Sequence, residues 1–378
     1  MGIPGWLQAA TVRALLWERS HPARVRRELH RRPYRSPSPV SGSTLRAAAV
    51  QRHIHLVTSA EQYAAEAYTL VAAAVAYGAQ LICFPEYNGL HLLGLLPGAE
   101  RLDPSRSLDE ALVVLAGQDE IEPADLFRMA GPAARRVYET TWSTLARRFG
   151  VSIVAGSLLL PDPVGRLYNT LFAYGPDGRC LGAQRKLTIF LSEAGWISPG
   201  NALTLFHLPA ATLAAPICTD HIYWETARAA IARGADVLVN PAADDEPYSW
   251  WSQARGLWAR VQEVCAYGIQ TMLVSDLFGF HFRGRSGIYG PLALSPTGDG
   301  ILSSVEDEER ENVVVADLDL AALRELRRAL PRPRPELVRR ALPRLYLEWR
   351  LAPGAVSELA SGFRNASAPA VRSRRFPH

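Results

Sequence analysis

The stretch that most constrains the fold runs from residue 45 to residue 86. Residues 45–50 are an apolar run of strand length, and residues 59–77 carry an Ala-rich helical pattern behind Ser59, a good N-cap residue. Gly78 stands where a helix should end, and residues 79–84 are a second apolar run. Strand, helix and strand in that order make a β-α-β unit, which requires parallel strands with a helix packed on them. Groups that bind or react collect at the carboxyl ends of such strands. Here the second strand runs into Pro85-Glu86, so it carries a carboxylate to that edge.

The pattern continues along an α/β chain. Helices are expected over 133–149, 221–233 and 249–267, and strands over 151–160, 203–207, 211–217, 235–240, 271–275 and 312–317. Hairpins should join 167–174 to 179–186, across Gly175-Pro176-Asp177-Gly178, and 282–294 to 300–304. The run over 211–217 ends in Cys218-Thr219-Asp220, a second buried strand that stops at a reactive group. Residues 90–132 break the pattern with Gly, Pro and acids. They read either as an insertion over the mouth of a site, where selectivity would be set, or as a surface excursion.

Lys186 is the sole lysine among 41 basic residues, the other 40 being Arg. Arg is a planar fork that stays charged, whereas Lys is a compact point charge. A position that needs one small cation against one oxygen would not accept the exchange.

Composition bounds the rest. At 378 residues and 48% hydrophobic content the chain can bury a large core, and no uninterrupted apolar run reaches the length of a membrane span. Four cysteines, at 83, 180, 218 and 265, are too sparse for a disulfide framework and fit a reducing compartment; with no basic, apolar leader at the start, a cytoplasmic location is expected. Cys83, Cys180 and Cys265 read as packing residues. His53 and His55 lack a third ligand at metal-binding spacing, so no metal is expected. A phosphate loop and a G-x-S-x-G serine elbow are both absent.

The net charge of +4 is unevenly spread. Residues 1–45 carry +6 and residues 321–378 carry +9, which leaves −11 on the body. Basic ends on an acidic body point to tails that fold back on it or on a partner subunit, in preference to nucleic-acid binding. Three regions follow: an Arg-rich N-terminal extension over 1–44, a domain over 45–320 and an Arg-rich C-terminal arm over 321–378. Residues 1–20 fit one short amphipathic helix around Trp6, Leu16 and Trp17, with ordered structure starting near Leu45.

Glu86, Lys186 and Cys218, in that order and at those strand ends, resemble the signature of the nitrilase superfamily of carbon-nitrogen hydrolases. Phe84-Pro85-Glu86, Arg185-Lys186 and Ile217-Cys218-Thr219-Asp220 are similar to its three motifs. So are Tyr223, Glu225 and Arg228, Gly234-Ala235-Asp236, Arg260 with Glu263, Ser286-Gly287-Ile288 and Gly290-Pro291, over about residues 45–320. The resemblance implies an α-β-β-α sandwich, commonly paired into a homodimer or higher oligomer. It implies Cys218 as nucleophile, Glu86 as general base, and Lys186 with the Thr219 N–H as oxyanion stabilisers. Glu193 falls where related amidases carry a second glutamate, and no cofactor is implied. Thr219-Asp220 after the cysteine is nearer the amidase and carbamoylase pattern than the nitrilase one, which favours a small-molecule amide substrate. Thr219 stands where Tyr is usual, and Val264 where Asn often follows the helix glutamate. Tyr87, Trp196, His221 and Tyr248 are expected around the substrate. Nitrile or N-carbamoyl hydrolysis, acyl transfer to an amine, and a catalytically silent binding protein on the same fold remain alternatives.

Overall fold

The structure, a computed structural model, describes residues 5–37, 43–116 and 122–330. The chain divides after Arg327 into two units, and the sheets and the site described below lie in the first. Of the C-terminal arm expected over 321–378, the part beyond residue 330 lies outside the described residues, as do the side chains at the very start of the chain.

In chain order the elements are α1 (Gly5–Arg19), α2 (Pro22–His30), β1 (Thr44–His53), α3 (Ala60–Ala76), β2 (Leu81–Cys83), α4 (Leu108–Ala116) and α5 (Pro123–Phe149). Strands β3 (Ser152–Pro161), β4 (Leu167–Tyr174), β5 (Cys180–Arg185), β6 (Leu205–His207) and β7 (Thr212–Ala214) follow. Then come α6 (Trp224–Ala232), β8 (Val237–Ala243), α7 (Trp250–Ala254), α8 (Leu257–Val264), β9 (Tyr267–Leu277) and β10 (Phe280–Phe282). The last are β11 (Gly287–Tyr289), β12 (Ile301–Ser304), β13 (Asn312–Asp319) and α9 (Leu320–Ala329).

Strand order β5-β4-β3-β2-β1 continues through β9-β8-β7-β6. Strand β1 pairs parallel with β2 through Ala47–Ala49 and antiparallel with β13, and only its last two residues, Arg52 and His53, touch β9. Two sheets therefore meet at the end of β1. Alternation of side chains then builds the layers. Ala47, Ala49, Leu81 and Cys83 face a core shared with Leu213, Val237, Val239, Tyr267 and Ile269 of the other sheet. Their neighbours Ala48, Val50, Ile82 and Phe84 face α3 and α5. On the far side Ala214 and Leu238 pack against Ala227 and Ala230 of α6 and Leu257 and Val261 of α8. The result is the α-β-β-α sandwich that the resemblance implied.

Several boundaries differ from the sequence reading. Helix α5 starts ten residues before the expected 133 and runs through Pro132, because Leu126, Phe127 and Ala130 extend its buried face and packing outweighs one lost hydrogen bond. The single helix expected over 249–267 is broken at Gly256 and ends at Val264, and its expected last residue, Tyr267, opens β9. Ordered structure also begins well before Leu45. Leu16, Val25 and Leu29 are buried in the core under α3 and α5, Arg24 pairs with Glu61, and the Arg19 guanidinium donates to the Leu95 carbonyl at 3.0 Å.

Candidate active site

Glu86 is fully buried two residues past Phe84, on a turn that β3 shapes from beneath. Gly156 lies in the β3 bulge with φ +75°, where an added Cβ would come within 2.0 Å of the Pro85 carbonyl. Only glycine allows that approach. Next to it Ser157 accepts from the Tyr87 N–H at 2.9 Å and fixes the turn, with Tyr87 itself in the left-handed region at φ 56°.

Lys186 follows the last residue of β5. Its N–H donates to the Asn169 carbonyl at 2.9 Å and its carbonyl accepts from Gly200 at 2.7 Å. Thus held, Nζ lies 2.9 Å from Glu86 Oε1 and 2.8 Å from Glu193 Oε2, with the side chain only 2% exposed. The two short distances explain why an ammonium stands here: one small donor fits between two carboxylates where a guanidinium fork would not. Burial opposes its charge, but Glu86, then Cys218 and Glu193, outweigh it and hold the ammonium above its usual range.

Glu86 accepts at Oε1 from Lys186 and from Asn169 Nδ2 at 2.8 Å, and at Oε2 from the Ala243 N–H at 3.1 Å. Burial pushes its pKa up to about 7, Lys186 pulls it down, and Glu193 pushes it up again. A carboxyl near 7 titrates where a general base is most useful.

Cys218 sits in the left-handed region at φ 50°, on a turn after β7, half-buried and lining the same cavity as Glu86 and Lys186. For a residue with a Cβ this backbone costs about 1–3 kcal/mol, which the surroundings must hold. Asp220 supplies the restraint: its buried carboxylate accepts from Ile217 N at 2.9 Å, Thr188 N at 2.6 Å and Leu187 N at 3.1 Å. One side chain thereby ties the cysteine turn to the segment after Lys186. Burial, then the Glu86 charge, pushes the Cys218 thiol well above its ordinary pKa. The resting pair is thus a thiol beside a carboxylate with a pKa near 7, and proton transfer belongs to the attack itself.

The remaining expected residues divide. Glu193, Tyr87, Thr219 and Trp196 line the cavity. Glu193 is buried, accepts the Tyr87 hydroxyl, and also accepts from Phe190 N at 2.8 Å. His221 does not reach the cavity. Its ring is buried with Nε2 3.1 Å from the carbonyls of Pro216 and Val239, and burial lowers its pKa to about 4, so it braces the cysteine turn as a neutral group. Tyr248 also lies outside the lining and stacks under Arg285. Sequence reasoning missed Asn169, which lies on β4 opposite the lysine strand and bridges Glu86 and Glu193. Its signal was a polar residue inside an otherwise buried strand. His55 meets Glu66 at 3.0 Å while His53 turns to the Glu309 carbonyl, so the two histidines part.

A buried carboxylate, ammonium and thiol around one chamber of about 260 Å³ are the groups that acyl transfer from nitrogen to sulfur requires. Residues 46–328 match the sequence model of the carbon-nitrogen hydrolase family. The chain belongs to that family, within the nitrilase superfamily. Among its relatives, a nitrilase of Pyrococcus abyssi is 31% identical over 54% of this chain and 72% of its own. Omega-amidase NIT2 of Danio rerio is 29% identical over 50% of this chain and 69% of its own. Of solved structures, Nit3 of Saccharomyces cerevisiae superposes with a TM-score of 0.57 at 20% identity, covering 79% of this chain and 98% of its own. An amidase from Nesterenkonia sp. gives 0.55 at 23%, covering 79% and 97%. Among the described residues no helix is long and apolar enough to cross a membrane.

Proposed function

We propose that this family member hydrolyses the carbon–nitrogen bond of a small-molecule amide through an acyl-enzyme on Cys218. What carries the reading is that Lys186 Nζ, 2.9 Å from Glu86 Oε1, shares one cavity with the Cys218 thiol. In the first half-reaction sulfur attacks the amide carbon while its proton passes to Glu86. The oxyanion forms against Lys186 and the Thr219 N–H, and the carbon–nitrogen bond breaks as Glu86 returns the proton to the leaving amine. In the second, Glu86 takes a proton from water as its oxygen attacks the thioester, and the carbon–sulfur bond breaks as Glu86 returns that proton to sulfur, giving acid and free thiol. Glu193 fixes Lys186 in line by holding the other side of its ammonium at 2.8 Å.

Amide is favoured over nitrile by the Thr219-Asp220 pair after the nucleophile. Assay of purified protein on primary amides, N-carbamoyl amines and nitriles tests the order, with Cys218→Ala as control. Ammonia release from amides that vanishes in the variant supports the reading; turnover surviving in Cys218→Ala ends it. Product analysis with added hydroxylamine separates hydrolysis from acyl transfer. A homo-oligomer in a reducing compartment completes the proposal: Ile222 and Tyr223, just past the cysteine turn, are exposed apolar residues of the kind an interface covers. Light scattering that returns a monomer mass would remove that part.

A further inference from the structure

The chamber over Cys218 differs in character from the cluster at its floor, and the difference bears on what it admits. Two stacked aromatic pairs line it. Phe127 of α5 lies on Trp196, centroids 5.6 Å apart and planes 19° from parallel, and Phe280 lies on Phe282 of β10 at 5.7 Å and 13°. Leu90 and Leu93, from the stretch that broke the sequence pattern, add to this apolar wall.

Acidic side chains predominate among the charges around it. Asp244, Asp245 and Glu246 line the chamber with Glu86 and Glu193, against two cations among the described lining residues, Lys186 and Arg255. Lys186 is held between Glu86 and Glu193, and Arg255 pairs with Glu246 at 3.5 Å. The five carboxylates outnumber the two cations, so an anion entering would lose water to face carboxylates.

Resting on the amide-hydrolase reading above, we infer that the substrate is an uncharged primary amide whose acyl chain ends in an aromatic ring or similarly bulky apolar group, and that monoamides of dicarboxylic acids are rejected. Apolar burial rewards the ring at roughly fourfold per methylene equivalent. The reaction itself needs only water, releasing ammonia and the arylalkyl acid.

The test compares kcat/KM of the full chain, by ammonia release, on acetamide, 3-phenylpropanamide and succinamate. The phenyl amide should exceed acetamide by at least about tenfold, and succinamate should fall below acetamide. Phe280→Ala, on a short half-buried strand, should lower kcat/KM for the phenyl amide about five- to tenfold through KM and so narrow its advantage over acetamide. Acetamide equal to the phenyl amide, or succinamate preferred, overturns the inference. Calorimetry of the same three ligands on Cys218→Ala reads the preference without turnover. Absence of all hydrolysis with the binding order intact would overturn the amide-hydrolase reading alone, whereas a reversed binding order would overturn this inference alone.

Discussion

The floor and the walls of one cavity obey opposite rules. At the floor Glu86, Lys186, Glu193 and Asn169 are buried polar groups whose positions are fixed by mutual hydrogen bonds, and every one depends on its neighbours. On the walls Phe127, Trp196, Phe280 and Phe282 meet ring against ring, with one hydrogen bond from the Trp196 indole to the Ser192 carbonyl, and each contributes mainly its own area. Buried charge is intolerant because an orphaned partner is left without water; apolar surface is forgiving because loss is graded. Chemistry belongs on the first kind of ground and specificity on the second.

The sharpest attempt to break that contrast is Lys186→Met. It leaves Glu86 and Glu193 facing each other unpaired, so activity should vanish and stability should fall by about 3–5 kcal/mol, read by denaturant melts. Retained turnover would mean the cluster is not a unit. Next, Glu86→Gln keeps the shape but removes the base, and kcat should fall by about 10² to 10⁴ with KM little changed. The third concerns pH. Because burial and Glu193 raise the Glu86 pKa to about 7, the working carboxylate predominates only above that value. The rate should therefore climb as pH rises through about 7 and then level. Glu193→Gln removes one of the raising charges, so the rise should move to lower pH; a shift upward would contradict the assigned electrostatics. On the walls, Trp196→Ala should raise KM for apolar amides several-fold and leave the pH profile where it was. Smallest of all, Arg46→Ala breaks an exposed pair with Asp317 remote from both regions and should cost less than about 1 kcal/mol with unaltered kinetics.

The floor was legible in the sequence because its chemistry admits few substitutes. A lone lysine in an arginine-rich chain, and two apolar runs ending in Glu86 and Cys218, each announced themselves without neighbours. Strands β1 and β2 were readable as apolar runs of strand length, but which residue faces which layer was not, because strands buried on both faces lack a polar alternation. The walls were hidden: Phe127 sits before a proline that reads as a helix start, and β10 is three residues long. Their shared cavity is a long-range fact. Asn169 was masked by the strand around it. Helix α2 was obscured by its arginines, although Val25 and Leu29 recur at helical spacing and are fully buried. His221 shows the reverse error, a reactive side chain beside the nucleophile that faces inward to carbonyls.

The central claim is that sulfur at Cys218 carries the acyl group while Glu86 and Lys186 flank it. Quenching the enzyme with acid during turnover of a primary amide and weighing the intact protein tests this most directly. The account predicts a mass gain equal to the acyl group, mapped to the peptide containing Cys218. Ammonia released from protein of unchanged mass, or an adduct mapped to any other residue, would contradict it.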